Sequence, residues 1–136
     1  MTVGRLLESL DLAPGVRHFV FEVEGEGKFS FEPGQFVSLS GEIHGKFITR
    51  AYSLAGVPEG RRFELCLNRV EGGLFSPHLF DLRPGDVVNV AGPLGYFMWR
   101  RPVGRSVLVA TGTGVAPFRG MLQQLRSEGC GSGVTL

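Results

Sequence analysis

Cysteine is scarce in this sequence, and the residue spacings that bind metals are missing. Cys66 and Cys130 are the only cysteines among 136 residues, and they form no Cys-x-x-Cys pair. Zinc-finger spacing and a four-cysteine iron–sulfur set are therefore excluded. A disulfide between them has no support, and we expect two buried thiols. The histidines, His18, His44 and His78, have no ligand-like spacing, so we predict no metal site.

Blocks of one charge and long apolar runs are also missing. The net charge is +1, and the longest basic runs are the pairs Arg61-Arg62 and Arg100-Arg101, so we expect no nucleic-acid partner. No apolar run approaches the roughly 18 residues of a membrane helix, and the N-terminal segment has no signal-peptide core. We therefore expect no membrane span and a cytoplasmic location. No Ser-His-Asp arrangement and no paired carboxylates support hydrolase chemistry.

Glycine, in contrast, is abundant, with 21 of 136 residues, about twice its usual share. The glycines and prolines separate short segments in which apolar and polar residues alternate, which is the pattern of half-buried strands. From Thr2 to Asp86 the pattern is one of short strands, and a further predicted strand begins just after Asp86. The clearest predicted strands are 16–24, 35–40, 47–54, 62–70 and 87–91. This spacing predicts a small antiparallel barrel.

One segment, 74–82, has apolar residues at helical spacing instead. Within it, Ser76-Pro77 resembles an N-cap followed by a proline in the first turn. We predict a short helix that plugs one end of the barrel. This helix either only packs on the core or also binds a phosphate at its N-terminus, because Gly72-Gly73 provides flexible backbone just before it.

The composition changes after residue 102. The unbroken apolar run Ser106–Ala110 predicts a strand buried on both faces, and Val134–Leu136 predicts a second parallel strand. Between them lie a glycine-rich stretch, 111–117, and a helix with one apolar stripe formed by Phe118, Met121, Leu122 and Leu125. This order is typical of the start of an α/β nucleotide-binding domain, although the glycines lack the G-x-G-x-x-G spacing.

The strand at 106–110 and the apolar stripe have few partners within the sequence. We therefore expect them to pair with another chain, either a second copy or a partner that completes the unit. The alternative is that the last residues fold back over the barrel or are disordered. Just before this unit, Trp99 and Tyr96-Phe97 either pack on the adenine of a cofactor or seal the crease between two units, and we favour the seal.

The segment Arg50-Ala51-Tyr52-Ser53 ends one of the predicted strands. Because successive side chains of a strand point to opposite faces, we expect Arg50 and Tyr52 to share one face, while Ser53 turns to the other face or into a loop. An aromatic ring beside a guanidinium is suited to a flat, anionic ligand. The alternative is a solvated surface strand without a ligand.

These segments, taken in order, resemble the ferredoxin–NADP reductase family of flavoproteins. The resemblance covers nearly the whole chain. It rests on Arg50-Ala51-Tyr52-Ser53, Leu65-Cys66-Leu67-Asn68-Arg69, Gly73-Leu74-Phe75-Ser76, Leu82-Arg83-Pro84-Gly85-Asp86, Gly92-Pro93-Leu94-Gly95 and Gly112-Thr113-Gly114-Val115-Ala116-Pro117-Phe118-Arg119. It implies a mainly β fold: a six-stranded antiparallel Greek-key barrel with a short capping helix binds FAD over residues 1–102. Residues 103–136 would begin an NAD(P)-binding domain with a single strand–loop–helix unit.

The resemblance also implies roles for individual residues. Arg50 would pair with the flavin pyrophosphate, Tyr52 would stack on the isoalloxazine, and Ser53 would hydrogen-bond near flavin N5, so Tyr52 and Ser53 are the implied catalytic residues. Residues 66–68 would line the flavin, residues 73–76 would offer donors to the diphosphate, and Thr113 would contact NAD(P)H. The implied cofactor contacts in these segments are Cys66, Leu67, Asn68, Gly73, Leu74, Phe75, Ser76 and Thr113.

The sequence departs from the family in two ways. Asn68 stands where the family often has lysine, which removes one cation from the site. The sequence also has only the first strand and helix of the nucleotide domain, so we expect a complete flavin half and an incomplete nicotinamide half.

Three functions follow from these expectations. The first is an FAD-dependent oxidoreductase module that moves hydride or electrons between NAD(P)H and a small molecule or a protein such as a ferredoxin or an oxygenase component. The second is a non-catalytic flavin-binding or electron-transfer subunit that needs a partner chain, and the third is a barrel adaptor without a cofactor.

Overall fold

The computed structural model describes the whole chain, Met1–Leu136. It contains eight strands, two α-helices and one 3-10 turn. The barrel strands are β1 (Thr2–Ala13), β2 (Val16–Val23), β3 (Phe36–Ile43), β4 (Lys46–Ser53), β5 (Arg62–Asn68) and β6 (Val87–Leu94). The other elements are α1 (Phe75–Asp81), β7 (Ser106–Val107), the 3-10 turn Gly112–Val115, α2 (Ala116–Ser127) and β8 (Val134–Thr135).

The six longer strands form one antiparallel sheet in the order β4-β3-β6-β1-β2-β5. An isolated bridge between Leu54 and Leu65 joins the end of β4 to β5, and so brings the two edges of the sheet together. The predicted mainly β fold, with six antiparallel strands and a short helix, is therefore confirmed. The predicted strand positions agree with the observed ones to within a few residues, and β1 adds the sixth strand near the N-terminus.

The core of the barrel is rich in phenylalanine. On β5 the residues Phe63, Leu65 and Leu67 are buried while their neighbours are not, as the alternation predicts. Phe63 stacks on Phe21 of β2 at 5.4 Å between ring centroids, and it also packs against Phe29 at 5.5 Å. Phe21 and Phe63 lie on neighbouring strands and Phe29 lies in the connection between β2 and β3, so the core joins these two strands to that connection.

Helix α1 packs on this core, but it begins two residues before Pro77, the first helical residue that the Ser76-Pro77 pattern predicts. Phe75 is its first residue, and Leu74 occupies the N-cap position without a side-chain cap. The interpretation of Ser76-Pro77 as cap and first turn is therefore wrong. The Ser76 hydroxyl is used differently: its oxygen accepts a hydrogen bond from the Val70 amide at 2.9 Å, across the glycine turn that precedes the helix.

The strand predicted at 106–110 is short and exposed. Only Ser106–Val107 forms a strand, and it pairs in parallel with β8, as the pattern at 134–136 predicts. Val107 and Val109 are 76% and 81% exposed, so the prediction of a strand buried on both faces is wrong. Ser106 and Leu108, which alternate with these valines, are half-buried, so one face of the short strand is partly covered and the other is open.

Helix α2 does not have an unpartnered apolar stripe. Phe118, Met121 and Leu125 are buried, because the helix lies against the barrel and the segment that follows β6. The Phe97 ring meets Phe118 edge-on at 5.8 Å, and the Trp99 indole N–H donates to the Met121 carbonyl at 3.0 Å. The expectation that apolar residues lack packing partners within the chain is thus wrong for this helix, whereas it is right for Val107 and Val109.

The seal between barrel and helix therefore uses Phe97 and Trp99, while Tyr96 is 95% exposed and takes no part. Both cysteines are free. Cys130 is exposed and Cys66 is half-buried, so the expectation of two buried thiols is wrong, because neither lies under a second layer of structure. None of the helices is both long and apolar enough to cross a bilayer.

Candidate functional site

A cleft of about 480 Å³ lies where β4, β5, α1 and the 3-10 turn meet. Its walls come from three separate stretches of the sequence, 50–53, 66–76 and 113–116, and every cofactor residue predicted from the sequence lines it. Its volume is within the usual range for small-molecule sites. Gly114, a neighbour of Thr113, also lines the cleft, and three further residues on the walls were not predicted: Ala51, Val70 and Ala116.

Strand β4 contributes the aromatic wall. Tyr52 pairs with Val37 across the sheet, and its ring lies nearly parallel to the buried Phe75 ring at 6.3 Å. Burial raises the pKa of Tyr52 to about 12, and the nearby Arg50 opposes this only in part. The phenol is therefore neutral near pH 7, and one face of a half-buried ring remains for a flat ligand.

Arg50 lies two residues before Tyr52 on the same strand, at the exposed rim of the cleft. One of its terminal nitrogens donates to the Thr49 carbonyl at 2.8 Å, and no carboxylate pairs with it. Since a guanidinium has five N–H donors, most of them remain for an anion. Ser53 follows at the end of the strand and is exposed at the same mouth.

Strand β5 contributes the opposite wall with residues 66–68. Burial raises the pKa of the Cys66 thiol, although Arg119 opposes the shift, so Cys66 is a protonated thiol at neutral pH. At the end of the strand, Thr113 of the 3-10 turn donates its hydroxyl proton to the Asn68 side-chain oxygen at 3.3 Å. This hydrogen bond joins the barrel to the glycine-rich turn along one wall of the cleft.

The start of α1 closes a third side of the cleft. Ser76 is only 6% exposed, and because its oxygen accepts from Val70, its hydroxyl proton is left to donate into the cleft. The first-turn amides of a helix have no partner within the helix, so α1 adds further donors. The walls therefore combine a free cation, a half-buried aromatic ring and several hydrogen-bond donors, which suits a ligand with a flat ring and an anionic group.

Sequence reasoning also missed a polar cluster beside the cleft. The Glu64 carboxylate lies 2.7 Å from the His18 Nε2 atom and 2.6 Å from the Arg119 guanidinium. Arg119 belongs to a segment that carried the resemblance, and His18 lies on β2, but a pairing across three elements has no signature in sequence spacing. The register of β2 and β5, with Val20 opposite Glu64, places His18 diagonally across from Glu64, and the packing of α2 on the barrel adds Arg119.

Comparison with known proteins identifies the family. Residues 4–99 match the family described as the oxidoreductase FAD-binding domain. The chain is 44% identical over 123 residues to ferredoxin–NADP reductase B of Sorangium cellulosum (strain So ce56), an alignment that covers 88% of this chain and 50% of that protein. It is 38% identical over 103 residues to the toluate 1,2-dioxygenase electron transfer component of Pseudomonas putida, covering 75% of this chain and 30% of that protein.

Among solved structures, the ferredoxin–NADP⁺ reductase of Neisseria gonorrhoeae with bound FAD and NADP superposes with a TM-score of 0.78 at 26% identity. The match covers 98% of this chain and 55% of that one. The chain thus spans half or less of the length of the two curated relatives. Since the family match covers most of the barrel and the superposition extends over the second unit as well, the chain belongs to the family of oxidoreductase FAD-binding domains.

Proposed function

We propose that this chain is the flavin module of an oxidoreductase, which passes reducing equivalents between NAD(P)H and an acceptor through FAD held in the cleft. The observation that carries the proposal is the convergence of four elements, β4, β5, α1 and the 3-10 turn, from three separate stretches of the sequence on one cleft. FAD supplies the redox chemistry when it is bound, and the chain's residues bind it, orient it and limit its contact with water.

The walls fit this cofactor on chemical grounds. In the proposal, Tyr52 offers its free face to the flavin ring, since its other face rests on the Phe75 side. Arg50 pairs with the diphosphate, and Ser76, with the backbone amide of Leu74, donates hydrogen bonds to it, while Gly73, whose amide donates to the Val70 carbonyl, lines the cleft. The cation, the ring and the donors then match, in kind, the anionic and aromatic parts of FAD.

The remaining predicted residues complete the proposed site. Ser53 holds its hydroxyl at the mouth of the cleft as a donor near the reactive edge of the ring, and Cys66, Leu67 and Asn68 line the flavin. Thr113 faces the nicotinamide nucleotide from the glycine-rich turn. In this proposal residues 1–102 are the FAD-binding barrel, and residues 103–136 belong to an NAD(P)-binding unit.

The relatives support a protein acceptor. One relative is a ferredoxin–NADP reductase and another is the electron transfer component of a dioxygenase. We therefore include a ferredoxin or an oxygenase component as the acceptor of this chain. A cytoplasmic location completes the proposal, in keeping with two free cysteines.

An anaerobic titration tests the proposal. The purified protein is loaded with FAD, and its visible absorption is followed as NADH or NADPH is added. We expect yellow protein that is bleached by at least one of the two nucleotides. Protein that cannot be loaded with FAD would rule out the flavin module. The Arg62→Gln variant, changed at an exposed arginine of β5 outside the cleft, should behave as the wild type does.

A second candidate function is a flavin-binding subunit whose nicotinamide side is completed by another chain or a second copy. The exposed Val107 and Val109 favour it, because a strand of a nucleotide-binding sheet normally has neighbours that cover such residues. Yellow protein that neither nucleotide bleaches would support this candidate. Sedimentation then distinguishes a dimer of this chain from a monomer that requires a different partner.

A further inference from the structure

Helix α2 is attached to the barrel by a polar cluster that lies outside the walls of the cleft. One terminal nitrogen of Arg119 donates to the Ala55 carbonyl at 2.8 Å and to the Oε2 atom of Glu64 at 2.6 Å. The same carboxylate oxygen lies 2.7 Å from Nε2 of His18. Since His18 is on β2 and Glu64 is on β5, one carboxylate connects two barrel strands to the helix.

The acceptors of Arg119 are held in place by the barrel itself. The Ala55 amide donates to the Glu64 carbonyl at 2.8 Å, so both acceptors belong to one rigid part of the barrel. The next residue of the helix, Gly120, is buried and approaches the Gly56 carbonyl so closely that a side chain at this position would collide with it. These two contacts define the distance between the helix and the barrel and the position of the helix along the barrel surface.

The position of the helix in turn fixes one wall of the cleft. Ala116, the first residue of α2, and Gly114 of the 3-10 turn line the cleft, and Thr113 hydrogen-bonds to Asn68. Arg119 is three residues after Ala116, which is about one helical turn or roughly 5 Å along the axis. A shift of the helix at Arg119 therefore moves this wall by a similar amount.

The cluster is charged under the conditions in which the protein would work. Burial opposes ionisation of Glu64, but hydrogen bonds from His18 and Arg119, together with their charges, outweigh it, and the pKa of the carboxyl is lowered. The carboxylate is thus the shared hydrogen-bond acceptor of Arg119 and His18. None of these three groups lines the cleft, and the charge of Arg119 is felt there only at the Cys66 thiol.

We propose that Arg119 is a positioning residue, which through Glu64 and Ala55 holds the wall formed by residues 113–116 against the cleft and so shields the reactive side of the bound cofactor. The inference rests on the proposed function in that the ligand of the cleft is FAD. Arg119 touches neither the cleft nor its ligand, since it lies on the side of the helix that faces Glu64.

Trp99 offers a direct measure of this attachment. It is the only tryptophan of the chain, and its indole N–H donates to the Met121 carbonyl of α2. Quenching of its fluorescence by acrylamide reports whether the helix stays on the barrel, with or without FAD. Quenching of the residual flavin emission by iodide reports how well the cleft is shielded, and a titration gives the affinity for FAD.

The test compares three variants of the full chain. Arg119→Gln removes the charge, Arg119→Lys keeps the charge but not the fork, and Arg126→Gln changes an exposed arginine on the same helix as the matched control. For Arg119→Gln we expect both quenching constants to rise by about two- to fivefold, the range for a partly exposed ion pair. Arg119→Lys should recover part of each change, and Arg126→Gln should show none.

The affinity for FAD should change less than either quenching constant, because Arg50, Tyr52 and Ser76 belong to the barrel side. Unchanged Trp99 quenching in Arg119→Gln would overturn the inference, and so would a loosened helix with unchanged shielding of the flavin. Failure of the wild type to bind FAD would instead count against the proposed function. In that case the Trp99 measurement on the FAD-free protein still decides whether Arg119 holds the helix.

Discussion

The barrel and the unit that follows it bury their apolar side chains to very different extents. The barrel core is one continuous cluster of 18 buried residues drawn from its strands, its loops and α1. The second unit buries Ala116, Phe118, Met121 and Leu125, but none of them belongs to that cluster. Two of its valines are more than three-quarters exposed. The barrel is therefore stabilised by its own core, whereas the second unit depends on its contacts with the barrel.

The two regions also supply different parts of the cleft wall. Arg50, Tyr52, Cys66 and Ser76 are supplied by the barrel and α1, while only residues 113, 114 and 116 come from the second unit. A rigid scaffold favours tight binding because little order has to be gained when the ligand arrives. We therefore assign cofactor affinity mainly to the barrel and control of access to the second unit.

The largest effect is expected when a buried phenylalanine is replaced by alanine, once in the barrel and once in the second unit. Phe63→Ala removes a ring that is 1% exposed and contacts two other phenylalanines, so it should lower the free energy of unfolding of the barrel by about 3–5 kcal/mol. Phe118→Ala should instead release α2 while the barrel keeps its unfolding midpoint. Urea denaturation followed by circular dichroism measures the first, and Trp99 emission measures the second.

Phe47→Ala, at a ring on β4 that is 65% exposed, is the matched control for this comparison. It should change the free energy of unfolding by no more than about 0.5 kcal/mol. If Phe118→Ala destabilised the barrel as much as Phe63→Ala does, the two regions would form one cooperative unit, and the contrast between them would be wrong.

The next effect concerns the cofactor. Arg50→Gln removes a guanidinium that has no carboxylate partner in the chain, so the dissociation constant for FAD should rise about 10- to 150-fold, as expected for hydrogen bonds to a charged group. Thr113→Ala, from the second unit, should change it far less. Equilibrium titration with FAD measures both. Equal effects of the two variants would contradict the assignment of affinity to the barrel.

Much of the barrel and of its cleft could be predicted because the signals are local. Alternation along 62–70 identifies which side of β5 is buried, and residues 50–53 lie on one short strand whose faces follow from the period of two. The cleft itself followed from the family resemblance of several segments in order, and the structure brings those segments together. That these residues hold the cofactor stays a prediction.

The second unit was harder to predict because its environment is set by distant contacts. An apolar run such as 106–110 has the same composition whether neighbours cover it or not, so burial could not be inferred from it. The docking of α2 depends on Trp99, Arg119 and Gly120, which contact residues far away in sequence. The role of the Ser76 hydroxyl was mispredicted for a related reason. A serine can serve equally well as a helix N-cap or as the acceptor for a distant amide such as that of Val70, and the sequence does not distinguish the two.

A smaller effect compares the only two tyrosines of the chain. Tyr52→Ala should raise the dissociation constant for FAD by about 2- to 13-fold, which corresponds to about 0.5–1.5 kcal/mol for an aromatic pair. Tyr96→Ala changes a side chain that is 95% exposed and should leave the affinity unchanged. The same titration measures both variants. An unchanged affinity in Tyr52→Ala would mean that the Tyr52 ring is not the face on which the flavin stacks.

The smallest expected effect concerns the carboxylate that joins the two regions. Because the pKa of Glu64 is lowered in the folded protein, its contribution to stability is complete above the unfolded value of about 4.3 and is lost as the pH falls through the folded value. Glu64→Gln should therefore lower the free energy of unfolding near pH 7 by about 0.2–1 kcal/mol and have less effect in acid.

Urea denaturation at several pH values, followed by Trp99 emission, measures this difference. Glu42→Gln, at an exposed carboxylate of β3 without a paired cation, should show no such pH dependence. Glu64→Gln loosens α2 without removing any side chain from the barrel core, so it should affect the attachment of the second unit and leave the barrel intact. A Glu64→Gln effect of equal size at acid and neutral pH would mean that the side chain acts through packing instead of charge, and the attachment of α2 would then rest on Phe118, Trp99 and Gly120 alone.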